Sequence, residues 1–465
     1  MTIWKPLLPG QGSRYRELAD AIAAAAASGE LPAGAKLPPQ RRLADALGVT
    51  VGTITRAYAL AEQRGVVTAR VGSGTYVRDT GAPHPAFDHV RRAAPDSGVV
   101  DLSLSLPPPH PQREASLANA MRSIQHDPAL LRAAIDYQPE AGQEWQREVI
   151  SGWLATLGRA VPADELLINQ GGMHGIFLSL SALLSPGERL AAERLTYPGL
   201  ISGLQQLSLK SVAIAHDQEG IDIDALARAF EQQPFRALYL MPDCHNPTTA
   251  RLSETRRHAL VALARERQFW LIEDDIHPQL DDEPVTPLYR LAPECTVTLF
   301  SVAKLLGGGL RVGAMRAPPA LQGRLTAALR AQSWMPPPLM ASLVCRWIES
   351  GDADALLQWQ REELEWRFDR AMERLGEFSP RGHRGGFYLW LPLPGELRTS
   401  HVVSQLQAQG VNVSTAESFC LGSVSAPQAI RVCISAAESR EALEHALRII
   451  ATTLGDPDPM LWQTV

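Results

Sequence analysis

The run Thr296-Val297-Thr298-Leu299-Phe300-Ser301-Val302-Ala303-Lys304, followed by Leu305-Leu306-Gly307-Gly308-Gly309-Leu310-Arg311-Val312-Gly313, decides how this chain reads. Its first five residues are apolar and β-branched, the pattern of a short buried strand. The strand ends in a hydroxyl and a lysine, and three glycines and an arginine follow. A lysine amine forms a Schiff base with an aldehyde. Glycines let backbone approach a ligand closely, and an arginine forks onto a phosphate. Aldehyde and phosphate on one small molecule describe pyridoxal 5'-phosphate (PLP). A surface lysine beside a loop explains the same residues equally well, so the rest of the chain has to decide.

Around this stretch, from about residue 114, amphipathic helices alternate with short apolar runs, which predicts βα units and a mainly parallel sheet. Ligands gather at the carboxyl ends of such strands. After Leu166-Leu167-Ile168 comes Asn169-Gln170-Gly171-Gly172-Met173-His174, a glycine pair opening a helix and able to cradle phosphate. After Arg189–Ala192 comes Tyr197, which either stacks on a flat ring or packs a turn. After Ala237–Met241 comes Asn246, placed to bond a ring hydroxyl. After Phe269–Ile272 come Glu273-Asp274-Asp275-Ile276-His277. Three acids at a strand end need a cation, such as a protonated pyridine nitrogen. A metal held by Asp274, Asp275 and His277 competes, but no second ligand cluster lies nearby, so no metal is expected.

Five strand ends in this order resemble the fold-type I aminotransferases over most of residues 100–450. The resemblance implies that Gly172 and Met173 give backbone contacts to phosphate, and that Tyr197 stacks on the ring. It implies that Asn246 bonds the ring oxygen and Asp274 its nitrogen, that Ser301 and Arg311 hold the phosphate, and that Lys304 carries the aldimine. Tyr137, in Asp136–Gly142, matches a tyrosine that reaches the partner subunit's phosphate, which implies a homodimer. The family places a tyrosine two or three residues after the aspartate, where it helps set the charge on the aldimine. This chain has Ile276 and His277, and His277 is taken as the hydrogen-bond donor there.

Leu356–Leu375, dense in Arg and Glu, reads as a solvated connecting helix with internal ion pairs. A small α/β domain follows, from about residue 335 in all. In its strand Ala429–Ser435 the lone Arg431 needs a partner. A structural salt bridge is one reading. By the resemblance, Arg431 grips the α-carboxylate of an amino acid.

The chain of 465 residues is long enough for two or three domains. Its five cysteines form no CxxC pair, which argues against a disulfide framework or zinc site and fits a reducing cytosol. No signal pattern and no membrane-spanning run is legible, so the expected location is cytoplasmic, with no membrane partner. Residues 1–78 carry a net +5, which leaves −11 for the rest of a chain whose total is −6. A basic end on an acidic body hints at a polyanion.

Within residues 1–78, helices are predicted over Tyr15–Ser28, Gln40–Leu47 and Val51–Arg64, then two strands, Val66–Val71 and Thr75–Arg78, joined through Gly72-Ser73-Gly74. That is a winged helix-turn-helix plan. Its third helix would enter the major groove of double-stranded DNA, with Thr50, Thr53 and Arg56 near its start, where base edges and phosphates are reached. Arg41, Arg42 and Arg70 would hold the backbone, and Gly72 would tip the wing. A helical bundle for protein contact fits the charge and the wing less well. Leu37-Pro38-Pro39-Gln40-Arg41, Leu43-Ala44, Gly48-Val49-Thr50 and Gly72–Val77 resemble the GntR family of bacterial repressors. Pro39 stands where that family often has Ser, and Val51 where it often has Arg, so no operator sequence carries over.

Residues 79–98 read as a tether, and the Pro-rich arm Leu102–Arg113 is expected to lie over the domain that follows, 99–465. A GntR-like reader joined to an aminotransferase-like body resembles the MocR subfamily of PLP-dependent transcription regulators. The function this implies is sensing of an amino acid or amine by aldimine exchange at Lys304, in a DNA-binding homodimer. The alternative is an active aminotransferase with an appended DNA-binding domain, and the sequence leaves turnover open.

Overall fold

The computed structural model describes residues 4–6, 8, 12–63, 66–70, 74–77, 98–276, 285–395, 397–422 and 424–455. His277, Gly72 and most of the 79–98 tether lie outside them.

Near the N-terminus three helices, Arg14–Ser28, Gln40–Leu47 and Val51–Gln63, precede the antiparallel strands Val67–Arg70 and Gly74–Val77. Leu18, Ile22, Leu43, Ile54 and Val77 bury against one another. Their spacing puts each on the inner side of its element. Thr50 starts the third helix, its Oγ1 accepting from the Thr53 amide at 3.2 Å. That satisfies one orphan donor of the helix. The Tyr58 hydroxyl donates to the Pro38 carbonyl at 2.7 Å, and the Leu37 amide to the Thr75 carbonyl at 2.7 Å. Helix, connector and wing are thereby joined. The predicted element order holds, with bounds shifted by one or two residues.

The body is built on a seven-stranded sheet. In spatial order its strands are Leu166–Asn169, Gly313–Arg316, Thr296–Ser301, Trp270–Asp274, Ala237–Leu240, Arg189–Glu193 and Lys210–Ile214. All run parallel except Gly313–Arg316, which is antiparallel to both neighbours. The central strands are buried throughout. A sheet covered on both faces requires such near-continuous apolar runs. The register pairs Asp274 with Leu299, one edge of the sheet thus collecting Asp274, Ser301 and the turn Val302–Lys304.

A smaller sheet follows, Leu389–Pro392, Ala429–Val432 and Ser414–Thr415, with Ala429–Val432 in the middle and both neighbours antiparallel to it. The short strand Val100–Asp101 pairs in parallel with Val411–Asn412, and Leu102 is fully buried in this core. The arm after the tether is therefore stitched to the small domain.

The helix expected to be a solvated connector is corrected by the structure. It runs Asp352–Leu375, and one face is buried, including Leu356, Gln360, Glu363, Leu364 and Arg367. Arg367 bonds Glu363 at 2.7 Å and the Ile434 carbonyl at 2.9 Å, while Arg440 bonds Glu363 at 2.7 Å. Dense charge suggested solvent, but part of that charge neutralises itself inside. Among the described residues no helix is long and apolar enough to cross a membrane.

Candidate functional site

A cavity of about 680 Å³ opens between the carboxyl edge of the large sheet, the small domain and the arm. Gly172, Met173, Tyr197, Asn246, Asp274, Ser301, Lys304, Arg311 and Arg431 all line it. Every body residue expected at the site is thus brought together except two. Tyr137 is 81% exposed, with its ring 5.6 Å from that of Trp334 and away from this cavity. His277 is outside the described residues.

Lys304 sits in the tight turn after Thr296–Ser301, where the Ser301 hydroxyl accepts from the Ala303 amide at 3.2 Å. The residue is half-buried and lines the cavity, and its ammonium donates to the Ser105 carbonyl. Burial brings its pKa down to about 8, and Arg431 pushes the same way, against Cys433 and Asp274. At neutral pH a pKa near 8 leaves roughly a tenth of the amine uncharged and nucleophilic, against a few parts in ten thousand for an ordinary lysine. Gln360 fixes the turn from behind, donating to the Lys304 carbonyl at 3.0 Å, and Arg113 bonds both Gln360 at 2.7 Å and the Leu306 carbonyl at 3.0 Å.

The three acids after Phe269–Ile272 go three ways. Glu273 turns back into the fold, accepting from the Leu288 amide at 2.7 Å and the Thr298 hydroxyl at 2.8 Å. Asp275 pairs with Arg159, which also pairs with Asp243. Only Asp274 lines the cavity. Its carboxylate accepts from the Tyr239 hydroxyl and, at 3.2 Å, from the Ile276 amide. Burial raises its pKa to about 6 in spite of both bonds and of Lys304. Such an anion gains from a cationic N–H placed against it. Among the described residues no group of three His, Cys, Asp or Glu is placed to hold a metal.

Gly171 and Gly172 begin the helix Gly172–Leu183, which aims its first amide groups at the cavity edge. Gly171 has φ +89°, and a Cβ there would sit 3.0 Å from Arg311 Nη2. A Cβ on Gly172 would lie 2.0 Å from the Ile276 side chain. Arg311 is exposed and donates to the Gln170 carbonyl at 3.0 Å. Helix start, Ser301 and Arg311 together offer backbone donors, a hydroxyl and a guanidinium to one anion. Tyr197 caps the helix Pro198–Gln206, and burial pushes its phenol up to about 12.

Arg431 is buried, yet no ion pair with an acid is found for it among the described residues. It donates to Asn246 Oδ1 at 2.7 Å and to the Ser103 carbonyl at 2.6 Å, and its guanidinium lies 4.8 Å from the Phe419 ring centre. Its Nε is unsatisfied. A buried cation whose partners are all neutral has affinity to spare for a carboxylate.

Sequence reasoning missed Tyr239 and the carbonyls of Ser103 and Ser105. Tyr239 had a signal, being a lone hydroxyl inside the apolar run Ala237–Met241, where a buried phenol needs a partner. The carbonyls had none, because backbone atoms are the same in every sequence.

In the N-terminal region Arg41, Arg42, Thr50 and Arg56 are exposed and Thr53 is half-buried. Thr50 and Thr53 share a hydroxyl bond of 2.9 Å, so Thr50 both caps the helix and stands at its solvent end. The Arg70 backbone pairs with Gly74.

Residues 133–450 match the family described as aminotransferase class I and II, and residues 14–77 match the bacterial regulatory proteins of the gntR family. An uncharacterized HTH-type transcriptional regulator of Bacillus subtilis, YdeF, is 28% identical over 465 residues, covering 97% of each chain. The vitamin B6 salvage pathway transcriptional repressor PtsJ of Salmonella typhimurium is 28% identical over 453 residues, covering 96% of each. Among solved structures, the kynurenine aminotransferase of Pyrococcus horikoshii superposes with a TM-score of 0.70 at 19% identity, over 79% of this chain and 96% of that one. The α-aminoadipate aminotransferase LysN of Thermus thermophilus gives 0.69 at 22%, over 77% and 92%.

Proposed function

Because this chain belongs to the aminotransferase class I and II family and carries a gntR-family domain ahead of it, the MocR arrangement, we propose that it is a PLP-dependent transcription regulator in which an amino acid or amine is sensed at Lys304. The body has the fold-type I architecture, and its cofactor is pyridoxal 5'-phosphate. The cavity suits that group. Asp274 offers a desolvated anion to the ring nitrogen, Asn246 an amide to the ring oxygen and Tyr197 a flat face. Gly172, Met173, Ser301 and Arg311 surround the phosphate end. Bound there, the cofactor supplies an aldehyde that bonds reversibly to amines.

The observation that carries the reading is Lys304 and Arg431 in one cavity, an amine with its pKa brought down to about 8 and a buried guanidinium bonded only to neutral acceptors. Lys304 supplies the neutral amine. Arg431 orients a carboxylate arriving beside it, exchanging the Ser103 carbonyl for a charged acceptor. The arm that carries Ser103 leads back toward the reader, so a ligand that favours one arm position biases the DNA-bound state.

The reader lays its third helix in the major groove, with Thr50, Thr53 and Arg56 where base edges and phosphates are reached and Arg41 and Arg42 on the backbone. A homodimer supplies two such heads. Its support is that Met121, Leu131, Ile135, Tyr137, Trp334 and Leu339 are large apolar side chains left exposed on or beside the mutually packed helices Gln112–Gln125, Pro128–Ile135 and Pro338–Glu349. In such a homodimer Tyr137, which is exposed, would reach the partner's cavity, as the aminotransferase resemblance implies.

The test is the visible absorption of protein mixed with PLP, beside Lys304→Ala. A cofactor band present in the wild type and absent in the variant supports the reading. No band in either sinks it. Sustained conversion of an amino acid and a 2-oxo acid would instead favour an active aminotransferase, a reading that Ile276 and His277 weigh against, since they stand where the resemblance calls for a tyrosine.

A further inference from the structure

The cavity contains four charged side chains, Asp274, Lys304, Arg311 and Arg431. In the reading above, on which this inference rests, they serve the ring nitrogen, the aldehyde, the phosphate and the ligand's carboxylate. Apart from Arg431, which that reading gives to the α-carboxylate, the wall given by the small domain carries no charge among the described residues. It is formed by Val403 and Gln407 from the helix Thr399–Ala408, by Asn412, Thr415 and Ser418, and by Val413, Ser414 and Phe419 between and beside them. Gln407 and Val403 are four residues apart, so they share one helix face. Among the described residues, neither the Gln407 nor the Asn412 side-chain amide has a hydrogen-bond partner, and both face the cavity.

We infer that the effector is an α-amino acid whose side chain is uncharged and hydrogen-bonding, an amide or a hydroxyl, and that Gln407 and Asn412 select it. The argument is two-sided. With Arg431 engaged by the α-carboxylate, a second carboxylate or an ammonium on the ligand would leave water and meet no further countercharge among the described residues of this wall. An aliphatic side chain would cover two amides and two hydroxyls without satisfying them. An amide or hydroxyl both donates and accepts, as do the groups facing it. Because Gln407 is exposed and Asn412 half-buried, each keeps some contact with water, and the selectivity is moderate.

The experiment uses the full chain loaded with PLP. It is titrated with L-glutamine, L-serine, L-glutamate, L-lysine and L-leucine, and the cofactor band is the readout. Wild type, Gln407→Leu and Asn412→Leu are compared, and each variant's own cofactor band shows that the site is folded. Glutamine or serine is expected to shift the band at concentrations about tenfold or more below the other three. In at least one variant that gap to leucine is expected to close. Glutamate, lysine or leucine equalling the best polar ligand overturns the inference and leaves amino-acid sensing intact. A gap untouched in both variants overturns the roles of Gln407 and Asn412. A Lys304-dependent band that answers to none of the five overturns the effector reading beneath them.

Discussion

Removing one hydroxyl from Tyr239 tests how this fold keeps Asp274 charged. Tyr239→Phe deletes the phenol that donates to the Asp274 carboxylate and leaves the ring in place. Hydrogen bonds to charged acceptors contribute about 1.5–3 kcal/mol. At about 1.36 kcal/mol per pKa unit, that is a rise of roughly one to two units. The wild-type carboxyl, already raised by burial to about 6, would move to between roughly 7 and 8. The sign follows from which form binds. The ionised carboxylate holds a cationic ring nitrogen, and it exists above its pKa. The Asp274 contribution to cofactor affinity should therefore be level above pH ~6 in the wild type and fall about tenfold per unit below it. In the variant the same break moves up, so at pH 7 affinity drops about twofold to tenfold. PLP titrations followed by absorbance between about pH 5.5 and 8.5 measure both breaks. Burial brings the Lys304 pKa to about 8 in the wild type, above the Asp274 break, so the lower break belongs to Asp274. Coincident breaks would refute the idea that Tyr239 supports the charge.

Arg431→Gln should weaken the apparent affinity of an amino acid effector about thirtyfold to a hundredfold, the value of a lost charge-assisted bond, while the cofactor band persists; effector titration reads it. Replacing Arg41 and Arg42 with Ala should lower affinity for duplex DNA uniformly across sequences and flatten the slope of log K against log salt by about two, as measured by fluorescence anisotropy at several ionic strengths. Ile135, which is 85% exposed, tests the dimer: Ile135→Glu should shift sedimentation toward the monomer, and an unchanged sedimentation coefficient would count against this face. Gln360→Ala should loosen the turn that carries Lys304 and lower PLP affinity severalfold with little change in its pH dependence.

The reader was legible almost to the residue, because its helices are stopped by Gly29 and Gly48 and started by a hydroxyl at Thr50, all local signals. The parallel strands were legible from their apolar runs. Gly313–Arg316 was not, since it follows directly on the glycine-rich stretch with Arg311 that was read as a ligand loop, and neither was Lys210–Ile214, which opens with exposed polar residues. Arg316 is buried in the sheet by its bonds to Glu165 at 2.7 Å and the Thr296 carbonyl at 3.0 Å, partners distant in sequence. The gathering of site residues followed from a topological rule about strand ends. The division of labour among Glu273, Asp274 and Asp275 did not, because it depends on Arg159, more than a hundred residues upstream. The helix Asp352–Leu375 shows the same limit, since its charges are satisfied by Arg440 and by backbone beyond its own sequence.

The arm from Val100 to Ser105 has a mechanical consequence. It is the first described stretch after the tether, it is laced into the small domain through Val411–Asn412, and within three residues it reaches the carbonyl on Arg431. The 23 steps from Val77 to Val100 span at most about 80 Å fully drawn out. Two heads gripping a duplex at the limit of that leash would haul on a strand that is also a wall of the ligand cavity. Linkage then runs in both directions: whatever free energy a ligand contributes to moving the strap, a taut duplex returns as altered ligand affinity. Effector titrations with and without bound duplexes of increasing half-site spacing would register that tension as a spacing-dependent shift, and identical curves at every spacing would show the leash to be slack.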